Sequence, residues 1–234
     1  MKRKPPPSNV RRVVPVSNNF RGVTINKRGH LVQFESEQER KLILLLERDD
    51  RVADYVSQPE TLHFLDDQGH ACRYTPDFQV WRVDGAIELH EVTLAGRRES
   101  RASLQRREVA AREICNQRRW QYVVHTDQTL PAGYEYANLD FLSAFRSLVF
   151  IRPDTEAWWR TQLTDQGHPQ LTTILAQGED TSALPTHVLL TGLYHLLWHG
   201  QVGMDWNQPL ISRGSIHRSA RVWWTRGSME EVRS

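Results

Sequence analysis

The sequence predicts an α/β protein, an α+β arrangement in which helices pack on a mixed sheet. Three observations favour this class. Residues 36–48 have helical spacing of apolar side chains, residues 74–83 and 86–94 alternate like two strands joined by a turn, and a helical stretch at 99–119 leads into a strand at 121–126. The order helix, strands, helix, strand is typical of a domain whose helices cover the faces of a sheet.

The first predicted helix begins at a capping signal. Ser36 is suited to the N-cap, and Glu39 three residues later completes a capping-box spacing. Leu42, Ile43 and Leu46 share one helical face with Glu39. Because that face should pack on the sheet, we expect the charge of Glu39 to point inward.

The strands predict a three-stranded meander with a particular register. Leu62 and Phe64 alternate before a turn at 66–69, and the two longer strand-like runs follow. A three-residue loop at 83–85 between those two runs would place Asp77 opposite Glu91 on one face, whereas a two-residue loop would place them on opposite faces. We predict the three-residue loop, or a bulge that has the same effect.

Three segments differ in composition. Residues 1–34 contain eight Lys or Arg and no acid, lack periodicity, and predict a basic N-terminal arm. Residues 35–150 hold the predicted sheet and end with an amphipathic helix that includes Leu139 and Val149. Residues 151–234 carry three short helical signals and then a turn-rich stretch, which predicts a small winged-helix-like helical domain.

The charge of the chain is unevenly distributed. Arginine outnumbers lysine by 26 to 4, and the basic residues gather in the arm and in a second block at 97–119. Arginine grips phosphate oxygens in a bidentate fork, so these blocks suit a polyanion, although a solvated helix face remains an equal alternative from charge alone. The residues we expect to contact DNA are Arg21, Lys27, Arg28, Arg97, Arg98 and Arg101.

The same composition excludes other classes. No apolar segment follows the charged start of the chain, so we expect a cytoplasmic protein without a membrane partner. Cys72 and Cys115 are the two cysteines and lack metal-site spacing, which predicts reduced thiols. His195 and His199 stand four apart on a predicted helix, but Leu196 lies where a zinc protease helix would carry glutamate, so we predict packing roles for both histidines.

Carboxylates indicate the chemistry. On the second long strand, Glu91 interrupts a row of Ile87, Leu89 and Thr93. Two anions held as close as Asp77 and Glu91 require a shared proton or a divalent cation. Carboxylate oxygens suit Mg²⁺ or Mn²⁺, so we expect both residues, with Glu39, to be metal ligands of a phosphodiester-cleaving site. For any one of these carboxylates alone, a surface salt bridge is the ordinary alternative.

Several short motifs together resemble one family. They are Arg21-Gly22, Phe34 to Arg40, Val52 to Pro59, Tyr74-Thr75-Pro76-Asp77-Phe78 and Glu91-Val92. Over residues 20–130 their order and spacing resemble TnsA, the endonuclease subunit of heteromeric transposases, which has the PD-(D/E)xK restriction-endonuclease-like fold. The resemblance implies that Glu39, Asp77 and Glu91 are catalytic.

The family's fourth catalytic position, a lysine, falls on Thr93. Threonine cannot carry the positive charge that the lysine supplies. Arg97, Arg98 or Arg101 at the start of the next helix could bring a charge to the site instead. We therefore expect the isolated chain to cut DNA poorly.

The resemblance also implies a biological role. A Mg²⁺-dependent endonuclease subunit would cut one strand at each transposon end, a TnsB-like transposase would cut and join the other strand, and the C-terminal domain would dock a TnsC-like ATPase regulator or DNA. Two alternatives stay open. One is a catalytically weak or inactive assembly subunit that binds DNA and partners, and the other is a stand-alone repair or restriction nuclease.

Overall fold

We describe the 234-residue protein from a computed structural model. The structure describes residues 20–66, 68–147, 151–164, 167–181 and 184–225. The chain divides into two units, Met1–Pro131 and Ala132–Ser234.

The first unit contains the mixed sheet. Its elements are β1 Gly22–Ile25, β2 Leu31–Phe34, α1 Glu37–Arg48, β3 Val52–Ser57, β4 Leu62–Leu65, β5 Ala71–Tyr74, β6 Phe78–Arg82, β7 Ile87–Thr93, α2 Ala95–Ser100, α3 Ala102–Arg118 and β8 Gln121–Thr126. Four strands form the central sheet in the order β3-β6-β7-β8. Strands β7 and β8 are parallel and the other neighbours antiparallel, so α2 and α3 form the crossover that parallel pairing requires.

The predicted three-stranded meander is wrong in one respect. Strands β4 and β5 form a hairpin of their own, and the third neighbour in the central sheet is β3, which the sequence analysis missed. The sequence of β3 does not alternate between apolar and polar residues, because its last three residues, Tyr55, Val56 and Ser57, are all buried. A strand with both sides covered loses the alternation by which strands are recognised.

Helices cover the two faces of the sheet. Helix α1 buries Leu42, Ile43 and Leu46 against Phe78 and Val80, as its periodicity predicts. On the other face, Leu89 packs with Ala111 and Cys115 of α3. Since alternate residues of a strand point to opposite faces, β7 presents Leu89, Glu91 and Thr93 on the α3 side.

The cap of α1 is confirmed. Ser36 is the N-cap, and its Oγ accepts a hydrogen bond from the Glu39 backbone N–H at 3.1 Å. This bond satisfies one of the donors that the first turn of a helix leaves open. The residue that begins the helix therefore also fixes where Glu39 stands.

Part of the predicted basic arm belongs to the first unit. Residues 22–34 form the hairpin β1–β2, in which Val32 and Phe34 are buried against α1. Lys27 Nζ donates to the carbonyl oxygens of Asp49 at 2.9 Å and Val52 at 3.0 Å, which ties the hairpin turn to the segment between α1 and β3. The sequence analysis missed this hairpin, although five of the eight residues in its two strands are apolar. Residues 1–19 of the predicted arm lie outside the described residues.

The second unit is mainly helical. Its elements are α4 Gly133–Leu142, a 3₁₀ turn Ser143–Phe145, α5 Pro153–Thr164, α6 Leu171–Thr181, α7 Thr186–Trp198, β9 Val202–Met204, β10 Ile211–Ser212, β11 Ser215–Ile216 and β12 Val222–Trp224. Strand β9 pairs with β12, and β10 with β11. None of the helices in the described part of the chain combines the length and apolar composition needed to cross a membrane.

The division between the units differs from the predicted boundary near residue 150. Helix α4 packs on α7, where the Phe141 and Tyr194 rings lie 5.0 Å apart between centroids. Asn138 Nδ2 donates to the Gln208 carbonyl at 2.8 Å, which holds α4 to a later loop. The predicted helix through Leu139 and Leu142 therefore opens the second unit, and Val149 lies outside the described residues.

Candidate active site

Asp77, which directly precedes β6, lies opposite Glu91 within β7. The two strands pair Phe78 with His90 and Trp81 with Ile87, and continuing this register places Asp77 opposite Glu91. The Arg82 N–H donates to the Ala86 carbonyl at 2.9 Å, which closes the predicted three-residue loop. Its last residue, Gly85, has a φ of 91°, a conformation that favours glycine. The predicted register is confirmed.

Neighbouring groups hold the two carboxyls in place. Asp77 Oδ2 accepts a hydrogen bond from the Val92 backbone N–H at 2.7 Å. The Tyr74 hydroxyl donates to Glu91 Oε2 and lies 2.9 Å from the Tyr122 hydroxyl. The acid pair thus rests on one main-chain donor and on a pair of tyrosines from β5 and β8.

The carboxyls perturb one another. Burial, followed by the charges of Glu91 and Glu39, raises the pKa of Asp77 well above its usual range. Burial also raises the pKa of Glu91, against the Tyr74 hydrogen bond and the charge of Arg107, which both lower it. Without a cation, the pair therefore relieves its repulsion by keeping a proton to higher pH than an ordinary carboxyl does.

Glu39 lies within electrostatic reach of this pair but is held by its own helix cap. Its Oε1 accepts from the Ser36 hydroxyl and its Oε2 from the Glu35 backbone N–H, each at 2.9 Å. Burial raises the pKa of Glu39. The charge of Glu39 in turn raises the pKa of both Asp77 and Glu91.

Asp77, Glu91 and Glu39 are the candidate metal ligands of the site. Among the described residues, no three Asp, Glu, His or Cys side chains are arranged to hold a metal. The pair of Asp77 and Glu91 nevertheless fits Mg²⁺, which is usually bound by one or two carboxylates and completed by water and substrate phosphate. Glu39 would join as a third ligand after releasing its capping bonds.

Thr93 stands beside the acids. It follows Glu91 by two residues on the same face of β7 and lines a small cavity with Glu91 and Tyr74. Two arginines, Arg98 and Arg107, line the same cavity. The position that the resemblance assigns to lysine is therefore at the site, but its side chain is uncharged.

The residues expected to contact DNA have varied surroundings. Arg98 makes two bonds to Glu108, at 2.9 and 2.7 Å, and Arg28 Nε donates to the Ala53 carbonyl at 3.1 Å. Arg21 lies 4.0 Å from Glu35. The other three are Lys27, bound to backbone carbonyls, and the exposed Arg97 and Arg101.

Sequence reasoning missed Tyr74 and Arg107 as members of the site. Tyr74 belongs to one of the motifs that resemble the family, but the sequence does not show that its hydroxyl reaches Glu91. Arg107 precedes Ala111 and Cys115 by four and eight residues, so helical spacing places it on the buried stripe of α3. A basic residue on an apolar stripe was the signal that could have identified it.

The two histidines at the end of α7 both contact backbone carbonyl oxygens. His195 Nδ1 lies 2.8 Å from the Phe145 carbonyl oxygen, and His199 Nε2 lies 3.1 Å from the Arg146 carbonyl oxygen. Burial lowers the pKa of His195, which favours its neutral form. The contact of His195 agrees with its predicted packing role, whereas His199 is exposed and contacts a backbone carbonyl oxygen.

Comparison with protein families places the acid pair in a known domain. Residues 49–127 match the model of the TnsA-like endonuclease N-terminal domain. This region is a TnsA-like endonuclease domain. It contains Asp77, Glu91 and Thr93, and α1 with Glu39 precedes the matched residues. No curated protein matches the chain. The match supports the assignment to TnsA-type endonucleases that the motifs predicted.

Proposed function

We propose that this chain is a metal-dependent DNA endonuclease subunit of a heteromeric transposase, which cuts one strand at each transposon end during cut-and-paste transposition. The observation that carries the proposal is the opposition of Asp77 and Glu91 at adjacent strand ends inside a TnsA-like endonuclease domain. Two carboxyls so close that the charge of one raises the pKa of the other are stabilised in their ionised form by a divalent cation.

Asp77 and Glu91 would hold a Mg²⁺ or Mn²⁺ ion, with Glu39 as a further ligand. When bound, such an ion lowers the pKa of a coordinated water and neutralises charge on the scissile phosphate. The Val92 N–H and the Tyr74 hydroxyl orient the two carboxyls before the substrate arrives. This preorganisation reduces the entropy lost when the reacting groups come together.

The proposed reaction is hydrolysis of a phosphodiester. The oxygen of a water forms a bond to phosphorus while the bond from phosphorus to one bridging oxygen breaks. One proton of the water leaves to solvent or to a site carboxylate, and the departing oxygen receives a proton to become a hydroxyl. Charge on the phosphate oxygens increases as the water attacks, so a cation near Glu91 lowers the barrier.

The second unit is proposed to be winged-helix-like and to bind a partner. Helices α5, α6 and α7 precede the antiparallel pair β9–β12, and an isolated bridge joins Gln170 to Arg221 beside that pair. Seven of the thirteen residues of α7 are buried, so this helix is a core element of the second unit. This favours docking of a protein such as a TnsC-like ATPase regulator over reading of a base sequence.

A second candidate is an inactive assembly subunit. It is favoured by the uncharged Thr93 and by the missing three-ligand group among the described residues. Thr93→Lys separates the two, because a weak site should gain activity from the added charge and a purely architectural subunit should not. A stand-alone repair or restriction nuclease differs from both in cutting without a transposase.

The test uses the full chain with linear DNA that carries a transposon end, with and without a TnsB-like transposase. In Mg²⁺ or Mn²⁺ we expect strand cleavage that depends on the transposase and that EDTA abolishes. Asp77→Asn and Glu91→Gln should reduce cleavage by at least about 100-fold. Asp84→Asn, in the exposed hairpin loop, is the matched control and should cut normally. Unchanged cleavage by Asp77→Asn would refute the proposal, and strong cutting by the chain alone would favour the stand-alone nuclease.

A further inference from the structure

Among the described residues that line the site cavity, Arg107 is the cation without a carboxylate partner. The residue lies on α3, which crosses the face of the sheet that carries Glu91 and Thr93. Its side chain lines the same small cavity as Glu91, Thr93 and Tyr74. The guanidinium carbon lies 5.1 Å from the centre of the Tyr74 ring, and the hydroxyl of that ring donates to Glu91.

The stacking on Tyr74 positions the charge without consuming its hydrogen bonds. A guanidinium over an aromatic face is held through the plane of its π-system, so its N–H groups at the edge remain able to donate. Among the described residues, no carboxylate oxygen lies within 4.0 Å of the Arg107 nitrogens. The charge still acts on the acid pair, since it lowers the pKa of Glu91.

The other arginine of the cavity is already neutralised. Arg98 makes a bidentate pair with Glu108, and Arg112 on the next turn binds the same carboxylate at 2.8 Å. Of the three arginines suggested by sequence, Arg97 and Arg101 do not line this cavity. The charge of Arg98 is thus offset inside the protein, whereas Arg107 lines the cavity with Glu91 and acts on the charge of that carboxyl.

A neighbouring cavity extends the positive surface beyond the site. Arg107 also lines this second cavity, together with Arg73 of β5 and Arg106 of α3. Arg73 and Arg106 are exposed. A DNA strand whose scissile phosphate lies at Glu91 would therefore meet further arginines as its backbone continues between the β4–β5 hairpin and α3.

We propose that Arg107 is a catalytic residue that contacts the scissile phosphate from α3 and supplies the positive charge that Thr93 does not carry. The inference rests on the proposed nuclease function. An arginine stays protonated at every pH at which DNA is cut, so Arg107 binds and stabilises the phosphate oxygens and takes no proton from the attacking water. Its fork of donors suits two phosphate oxygens at once.

The test compares four variants of the full chain in the transposon-end cleavage assay with Mg²⁺: Arg107→Gln, Arg107→Lys, Arg107→Gln with Thr93→Lys, and the control Arg119→Asn. Arg119 is exposed at the end of α3 with a φ of 58°, which asparagine tolerates, so its removal matches the change in net charge. Cleavage rate, DNA affinity and thermal unfolding are measured for each.

We expect Arg107→Gln to lower the cleavage rate by about 100-fold or more while DNA affinity changes by less than about tenfold. Arg107→Lys should keep an intermediate rate, and Thr93→Lys should restore cleavage to the Arg107→Gln chain, a rescue that a structural role would not give. Arg119→Asn should cut at the rate of the unmodified chain.

The outcomes separate this inference from the function on which it rests. If the unmodified chain cuts, Asp77→Asn does not, and Arg107→Gln cuts within threefold of the unmodified rate, the role of Arg107 is overturned and the nuclease function stands. A loss of cleavage by Arg107→Gln that is matched by Arg119→Asn also overturns it, because the effect is then one of net charge. If no chain cuts with the transposase present, the nuclease function fails and the inference fails with it.

Discussion

Replacing Asp77 by asparagine is expected to stabilise the protein in EDTA while it removes cleavage. Asp77 carries a charge that burial, Glu91 and Glu39 all disfavour, so the ionised carboxyl costs free energy of folding. Asparagine removes that charge with nearly the same shape. Its side-chain oxygen can still accept from the Val92 N–H, and its amide can donate to Glu91.

The size and sign of the effect follow from linkage. A folded-state pKa above the unfolded value means that stability is present below about pH 4, is lost as pH rises through the folded pKa, and stays lost at higher pH. Each unit of such a shift corresponds to about 1.4 kcal/mol. In the variant the Val92 N–H donates to a neutral oxygen, and the weaker hydrogen bond lowers the stability gained by about 1 kcal/mol. We expect the removal of the disfavoured charge to outweigh this loss, so that the net gain is larger at pH 8 than at pH 5.

The assay is urea unfolding of the full chain at pH 5 and pH 8, in EDTA and in Mg²⁺. At pH 8 in EDTA, the midpoint of Asp77→Asn should exceed that of the unmodified chain, and Mg²⁺ should stabilise only the latter. Asp84→Asn is the control, because Asp84 accepts from the Ala86 N–H in an exposed loop and lies away from the acid pair. A difference between Asp77→Asn and the unmodified chain that is the same at both pH values would refute the reasoning.

Three further changes test the surroundings of the site and the second unit. Ser36→Ala removes the cap of α1 and should lower the free energy of unfolding by about 1 kcal/mol in urea. Tyr74→Phe removes a hydrogen bond that lowers the pKa of Glu91, so the acidic limb of the cleavage pH profile should move to higher pH. Gly192→Ala places a methyl carbon 2.4 Å from Thr155 Cγ2 and should destabilise the protein by about 1–3 kcal/mol, measured by thermal unfolding.

Each of these predictions has a matched control. Ser36→Thr retains a capping hydroxyl and should unfold like the unmodified chain. Tyr134→Phe removes an exposed hydroxyl, and an equal movement of the pH profile in this variant would discredit the role of Tyr74. Gly96→Ala adds a methyl group with nothing within 4 Å, so a loss of stability as large as that of Gly192→Ala would show that the clash with Thr155 is not the cause.

Local chemistry made the acid pair predictable. The cap at Ser36 depends on residues three positions apart, and the opposition of Asp77 and Glu91 depends on a loop of three residues. Both are short-range features that sequence spacing records. The position of Glu91 in a row with Ile87 and Leu89 is also a short-range feature, because alternate residues of a strand lie on the same face and that face is covered.

Long-range packing accounts for what the sequence analysis missed. Strand β3 is covered so fully that its apolar residues lose alternation, and Phe34 is buried only because α1 returns to cover the β1–β2 hairpin. Helical spacing places Arg107 on the buried stripe of α3, but only the packing of α3 on β7 brings it beside Glu91 and Thr93. Glu39 was placed correctly on its helix, but sequence could not reveal that its oxygens are occupied by the cap.

The position of α4 has a practical consequence for truncated proteins. A fragment ending at residue 150 would carry this helix away from Tyr194 and Gln208, and would expose Leu139 and Leu142, which are now almost fully buried. Such a fragment would expose an apolar patch and would be prone to aggregate during purification. Ending the fragment after Pro131 avoids this, because Leu130 is the last residue that contributes to the core beneath α1.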